Sequence, residues 1–395
     1  MNRAIARPIY LDHAATTPLD PRVLEAMMPY LTEEYGNPSS VHQLGRKARY
    51  AVEEARERVA ACLGAKASEI VFTSGATEAN NLAIKGVLAG FPRKGLVTSP
   101  VEHKAVIKPA ARVAQWGHPV TYLQPDRYGR IYPEQVAEAI TEDTALVSIM
   151  MVNNELGTRY NVEEIAALCK ERGVLFHCDA VQGIGYYPVN LHEWPVDLLS
   201  LSAHKFYGPK GVGVLYVREG TPLEPLIEGG AQERNRRGGT EHVAGMVGLA
   251  RALELAVEKR EERVRHIRTL RDRLAEGLRS RLDEHMVCNT PLSSPDDAAP
   301  HILHVAFPPQ HGHAVDGEMV LLSLDLEGIC ASSGSACTSG AVEPSHVLQA
   351  IGLGPETARA AVRFSLGWKN TSEEVDYTVE KVAQIIERIL QLTLR

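Results

Sequence analysis

An apolar run ends in a lysine in the segment Leu199-Ser-Leu-Ser-Ala-His-Lys205-Phe-Tyr-Gly-Pro, with a Gly-Pro turn behind it. A lysine at a strand end with little room around it can form a Schiff base with a cofactor aldehyde. The plainer alternative is a surface lysine in a turn, which suits Lys210 and most other lysines of the chain. Asp179 closes a second apolar run, Val174-Leu-Phe-His-Cys178, and Gln182 follows three residues later. A pyridoxal ring needs a carboxylate against its pyridinium nitrogen, because a protonated nitrogen makes the ring an electron sink. It also needs a donor to its phenolic oxygen, which Gln182 can supply. Asp179 can equally cap a helix, and the two roles are compatible. A third run, at Ile70, leads into Thr73-Ser-Gly-Ala-Thr-Glu-Ala-Asn. Small residues there let backbone N–H groups approach a phosphate at a helix start. The stretch is not a Walker motif, and a simple capping box is the alternative. His103, in Glu102-His-Lys-Ala, can lie flat over a heteroaromatic ring and exchange protons, although a lone histidine is more often a surface or capping residue.

Cys337 stands in the middle of Ala331-Ser-Ser-Gly-Ser-Ala-Cys-Thr-Ser-Gly-Ala-Val-Glu-Pro-Ser. Such a segment has almost no side-chain bulk to pack and is expected to be a mobile loop. Cys62 and Cys169 lie instead on apolar helical faces, and Cys330 closes the apolar run Met319 to Ile329, as core cysteines do. Cys337 therefore reads as a reactive thiol. A metal site built from His301-x-x-His304, His311, His313, Cys330 and Cys337 is the competing idea. Its spacing matches no standard zinc pattern, and no metal is expected. Arg363, in Ala361-Val-Arg-Phe-Ser-Leu-Gly, alternates with apolar neighbours as on a strand. Pointing inward it needs a partner, either a bidentate substrate carboxylate or a structural salt bridge.

These residues must be positioned by the elements around them. Six apolar runs (at Ile70, Leu96, Ala145, Val174, Asp197 and Val212) alternate with helical stretches such as Val162 to Arg172, where Val162, Ile165, Ala166 and Cys169 share a face. That rhythm predicts an α/β fold with a mostly parallel sheet, whose ligands sit at the carboxyl ends of strands. Beyond Ala244 a long charged helix is expected from Gly248 to about Glu284, then a Pro- and Asp-rich connector. A last amphipathic helix from Ser372 carries Val375, Val379, Val382, Ile386 and Leu390. The division expected is a large α/β domain at 13–257 and a smaller α+β domain of 1–12 and 258–395. The chain has 395 residues, 44% hydrophobic and 23% charged, with a formal net charge of −7, so nucleic acid is not an expected partner. No apolar run is long enough to span a bilayer, and the first residues lack the apolar core of a secretion signal. Six irregularly spaced cysteines do not form a disulfide framework, which points to the cytoplasm.

Taken together the motifs resemble the cysteine desulfurases of the NifS and IscS branch of the class V aminotransferase superfamily. The likeness runs from Tyr10-Leu-Asp-His-Ala-Ala-Thr-Thr-Pro to the last helix. It includes Gly36-Asn-Pro-Ser-Ser-Val-His, Val152-Asn-Asn-Glu-Leu-Gly, Gly229-Gly-Ala-Gln-Glu-Arg-Asn-Arg-Arg-Gly-Gly-Thr-Glu and, most specifically, Ser332-Ser-Gly-Ser-Ala-Cys-Thr-Ser-Gly. The resemblance implies the type I fold of pyridoxal 5'-phosphate enzymes and removal of sulfur from L-cysteine to give L-alanine and a persulfide on Cys337. It implies Lys205 as the Schiff-base lysine, Asp179 at the pyridinium, Gln182 at the ring oxygen and His103 stacked on the ring, moving protons. Ala76, Thr77, Ser202 and His204 would hold the phosphate, joined by Thr240 from the second subunit of a homodimer. Asn154 would lie beside cofactor and substrate, with Asn37 and Arg363 on the substrate carboxylate. The sulfur would pass to an iron–sulfur scaffold or another acceptor protein. Tyr186 stands where many members have lysine, Cys178 replaces a usual valine, and the Pro308 to Val315 loop is longer than usual. The sequence stops at Arg395 without the tail by which some members hold a scaffold partner, which leaves the acceptor open. A transaminase or selenocysteine lyase with an incidental Cys337, and a cofactor-free scaffold protein, are the rival readings.

Overall fold

The computed structural model describes residues 8–310, 313–333 and 344–393. Cys337 and His311 lie outside the described residues. The described residues open with a short strand, β1 (Ile9–Tyr10), and then build a seven-stranded sheet. Its strands are β2 (Ile70–Thr73), β3 (Gly95–Thr98), β4 (Val120–Tyr122), β5 (Thr144–Met150), β6 (Leu175–Asp179), β7 (Leu198–Ser202) and β8 (Gly213–Val217). The order across the sheet is β2-β8-β7-β6-β5-β3-β4, and β8 alone runs antiparallel to its neighbours. The expected α/β architecture with a mostly parallel sheet is present. Every residue of β2, β3, β5, β7 and β8 is buried. The apolar runs are continuous because both faces are covered: Val71, Leu146, Leu198 and Leu215 pack on one side, Phe72, Val147, Leu199 and Tyr216 on the other.

The helix Gln43–Leu63 shows how local sequence sets an element. His42 caps its start by accepting from Gly45 N, Ala48, Ala51, Val52, Ala55 and Val59 form its buried face, and Gly64 ends it in the left-handed region at φ 64°. The long charged helix expected from Gly248 is instead two helices, Val243–Glu258 and Arg260–Leu282, with Lys259 off helical geometry at φ −107°, ψ 12°. No glycine or proline marks the break. The two helices serve different neighbours: the first, mostly buried, packs on Pro21–Thr32 and Gln43–Leu63, the second on the last helix, Ser372–Thr393.

The remaining strands are β9 (Val287–Cys288), β10 (Ile302–Ala306), β11 (Ile329–Cys330) and β12 (Ala361–Ser365). They form an antiparallel sheet in the order β12-β10-β9 and a parallel pair, β1 with β11. After β1 the chain runs beside β12, where Ser365 N donates to Leu11 O and His13 N to Ser365 O. It then crosses to the lysine turn, where Thr17 N donates to His204 O and Asp20 N to Tyr207 O. Residues 11–20 thus stitch the small sheet to the end of β7. Among the described residues no helix is long and apolar enough to cross a membrane.

Candidate active site

The carboxyl ends of β2, β3, β5, β6 and β7 lie along one edge of the large sheet, and a cavity of about 840 Å³ opens there. Lys205 enters it from a single 3-10 turn, Ala203–Lys205, directly after β7. Its Nζ donates to Ala14 O at 2.6 Å and to Ala15 O at 2.8 Å. Burial, and then the positive charge of Arg363, bring its pKa down to about 8 against the opposing pull of Asp12 and Asp179. This is not a lysine in an exposed turn.

Asp179 is the last residue of β6 and is buried. Its Oδ1 accepts from Val181 N at 3.1 Å and its Oδ2 from Asn80 Nδ2 at 2.7 Å. The capping contact and the cavity-facing position coexist. His103 caps the helix Lys104–Gln115 through Nδ1, which accepts from Ala105 N at 3.1 Å. That leaves the ring proton on Nε2. Although the ring opens on the cavity, desolvation by the surrounding protein, reinforced by Lys205, holds its pKa below the usual histidine value, while Asp179 pulls the other way.

The turn between β2 and the helix Ala76–Asn81 forms one wall. Gly75 (φ 148°) occupies the cap position, and among the described residues no side chain caps the helix start. Ala76, Thr77, Ser202 and His204 all line the cavity beside it. His204 Nδ1 lies 3.1 Å from Thr16 Oγ1, and burial with the charge of Lys205 lowers its pKa to about 4. Glu78, also at this wall, is gripped by Arg237 through Nε at 2.9 Å and Nη2 at 3.3 Å.

Arg363, on β12, reaches the opposite wall. Its Nη1 donates to Asn154 O at 2.7 Å, and its Nη2 to Asp12 Oδ1 at 2.9 Å and to Ser332 Oγ at 3.0 Å. The structural salt bridge weighed from sequence is therefore present. Yet Arg363 Nε and Asn154 Oδ1 are buried without partners among the described residues. Asn154 and Gln182 line the same cavity, as do Ala331, Ser332 and Ser333, the residues that lead into the Cys337 segment.

The structure thus brings together Lys205, Asp179, His103, Gln182, Ala76, Thr77, Ser202, His204, Asn154 and Arg363. Asn37 and Thr240 are exposed and do not line this cavity within one chain. Sequence reading gave no role to Asn80 or Asp12, although both stand inside motifs already quoted. It also missed the buried Glu102, whose Oε1 accepts from Ser99 Oγ at 3.0 Å and Met150 N at 3.1 Å. Cys62 and Cys330, expected as core residues, are only half-buried, whereas Cys169 is fully buried. Cys62 packs against the core from the margin of its helix's buried face, and Cys330 sits on a two-residue strand paired only with β1 among the described residues. His301 and His304 diverge: His301 faces Gln182 and His304 faces Asn289.

A parallel-sheet α/β framework with a lysine and an aspartate at adjacent strand ends defines the class, and the family comparison agrees. The chain belongs to the class-V aminotransferases, whose family model (Aminotransferase class-V) matches residues 9–378. Within that family it is 48% identical to the cysteine desulfurase IscS of Dictyoglomus turgidum, over 97% of this chain and 95% of that protein. It is 45% identical to the cysteine desulfurase IscS of Methanosarcina thermophila, over 98% and 94%. Among solved structures, a NifS-like protein superposes with a TM-score of 0.88 at 41% identity, covering 96% of this chain and all of that one (100%). DndA from Streptomyces lividans gives 0.76 at 39%, over 91% of this chain and 99% of that one.

Proposed function

We propose that this protein is a pyridoxal-phosphate-dependent cysteine desulfurase that converts L-cysteine to L-alanine and holds the sulfur as a persulfide on Cys337. One observation carries the reading: Ala331, Ser332 and Ser333, which run into the Cys337 segment, line the same cavity as Lys205 and Asp179. The names of the relatives above point the same way.

The residues present fit the cofactor. Asp179 would meet the ring nitrogen, Lys205 the aldehyde, His103 a ring face and Gln182 a ring oxygen, and all four line the one cavity. The uncapped start of Ala76–Asn81, with Ser202 and His204, suits a phosphate. When bound, pyridoxal phosphate supplies an electron sink for charge developing on the substrate carbons.

The remaining tasks fall to the chain. Arg363 binds the substrate carboxylate once Asp12 shares or yields its place on the guanidinium. Lys205 Nζ, brought down to about 8, is far more often neutral near pH 7 than an ordinary lysine amine and takes the proton from Cα. His103 Nε2–H is the other proton source within the cavity. The Cys337 thiolate bonds to the substrate sulfur as the Cβ–S bond breaks. One cysteine and one enzyme thiol become one alanine and one enzyme persulfide, with protons conserved. The described cysteines make poorer nucleophiles, since burial raises the thiol pKa of all five, Cys62 to about 11 and Cys169 to about 12.

The same reading includes a homodimer in which Thr240 of the partner subunit reaches the phosphate. Its support is the exposure of Thr240 and the apolar Leu24, Met28 and Leu31 on one face of Pro21–Thr32, exposed at 44%, 44% and 53%. The reading places the enzyme in the cytoplasm, which its unpaired described cysteines suit, with the sulfur passing to an iron–sulfur scaffold or another acceptor protein. Cys337→Ala tests the proposal. The variant is expected to keep the yellow cofactor and lose alanine formation and reductant-dependent sulfide release. Undiminished alanine and sulfide would show that the thiol is incidental.

A further inference from the structure

His301 immediately precedes β10 and is buried, with 1% of its surface exposed. Its ring stacks on Tyr186, the centroids 3.9 Å apart and the planes within 10°. Its Nε2 lies 3.3 Å from Gln182 Oε1. At the other end of the same amide, Gln182 Nε2 donates to Ala14 O at 2.8 Å. The reverse orientation would bring two oxygens, those of Gln182 and Ala14, into contact without a proton between them. The amide oxygen therefore faces His301, and the proton of that contact belongs to His301 Nε2. His301 Nδ1 is then a bare lone pair, and it has no partner among the described residues. Complete burial pushes the histidine pKa far down, so the ring is neutral. Gln182 Nε2 keeps a second N–H, and Gln182 lines the cavity.

We propose that His301 is a positioning residue: its Nε2–H, held in plane by the stack on Tyr186, locks the Gln182 amide so that the free N–H faces the cofactor's ring oxygen. The inference rests on the cofactor reading above. It also gives the buried Tyr186 ring a use, as the flat face that fixes the plane of the His301 imidazole. Ala14 O sits at the centre of the arrangement, accepting from both Gln182 and Lys205. The orientation of Gln182 is thereby tied to the carbonyl that holds the lysine amine.

The experiment compares full-length wild type, His301→Phe, His301→Gln, Gln182→Ala and the His301→Phe/Gln182→Ala double variant, each reconstituted with pyridoxal phosphate at one pH. The readouts are the visible absorption band and the affinity for the cofactor. Phenylalanine keeps the stack and removes the N–H. Its band is expected to move in the same direction as that of Gln182→Ala, with about two- to tenfold weaker cofactor binding. The double variant should match Gln182→Ala alone, and His301→Gln, which restores a donor, should return the wild-type band. A His301→Phe band identical to wild type beside a displaced Gln182→Ala band overturns the positioning role and leaves the cofactor reading intact. If the phenylalanine variant does not fold, a His301→Gln band displaced like that of Gln182→Ala overturns it as well. Wild-type protein that develops no visible band on adding pyridoxal phosphate overturns the cofactor reading, and the inference with it.

Discussion

Glu102 is fully buried, with one oxygen held by Ser99 and Met150 and the other, Oε2, unpartnered among the described residues. Burial, aided by the negative charge of Asp179 and opposed by the hydrogen bonds, raises its pKa from 4.5 to about 8. Between those values the folded protein keeps a proton that the unfolded chain releases. Stability present in full below about pH 4.5 is therefore lost as pH rises toward about 8, and the loss levels off above it. At about 1.4 kcal/mol for each pKa unit, the shift corresponds to roughly 5 kcal/mol. Glu102→Gln keeps the accepting oxygen and removes the titration. For a chain of 395 residues, an unfolding entropy of about 2 cal/mol/K per residue makes 1 kcal/mol worth about 1 °C in Tm. The Tm of the variant minus that of wild type should therefore grow by about 5 °C between about pH 5 and about pH 8.5. Differential scanning calorimetry of the two apoproteins across that range is the assay. A difference that stays flat, or shrinks as pH rises, would refute a neutral buried carboxyl at this position.

Three further outcomes follow from the site. Arg363→Lys keeps the charge but loses the fork, so kcat/KM for L-cysteine should fall about 10- to 100-fold, mostly through KM; a loss confined to kcat would contradict carboxylate binding. Apoprotein should capture pyridoxal phosphate covalently at a rate that rises with pH and levels off past about 8, because only neutral Lys205 Nζ can attack; a rate still climbing at the pH of an ordinary lysine would show that the amine is not desolvated. Lys205→Ala and Thr240→Ala should each be inactive alone but recover activity when unfolded and refolded together, since a mixed dimer contains one complete site; no recovery would place Thr240 outside the partner's phosphate site.

Part of this site was legible in the chain because its chemistry is local. Lys205, Asp179, His103 and the Thr73–Thr77 turn each stand where an apolar run stops, and a parallel sheet gathers such stops along one edge. The residues that tune them were not legible, because their partners are remote in sequence: Asn80 and Asp179 are 99 residues apart, and Asp12 and Arg363 are 351 apart. The apolar pattern located six of the seven large-sheet strands and missed β4, a three-residue edge strand whose side chains are largely exposed. The break at Lys259 has no glycine or proline to announce it, being set by which helices the flanking segments pack against. His301 illustrates a different limit. From sequence it is one of several histidines near two cysteines, and its role becomes visible only through the stack on Tyr186 and the contact with the Gln182 amide.

A persulfide on Cys337 is the species that defines the proposed reaction. Wild-type holoenzyme incubated briefly with L-cysteine, without reductant, then digested under non-reducing conditions and analysed by mass spectrometry, should carry one additional sulfur atom on the peptide containing Cys337 and on no other cysteine peptide. An added sulfur on Cys330 or Cys62 instead, or alanine released with Cys337 unmodified throughout turnover, would contradict it.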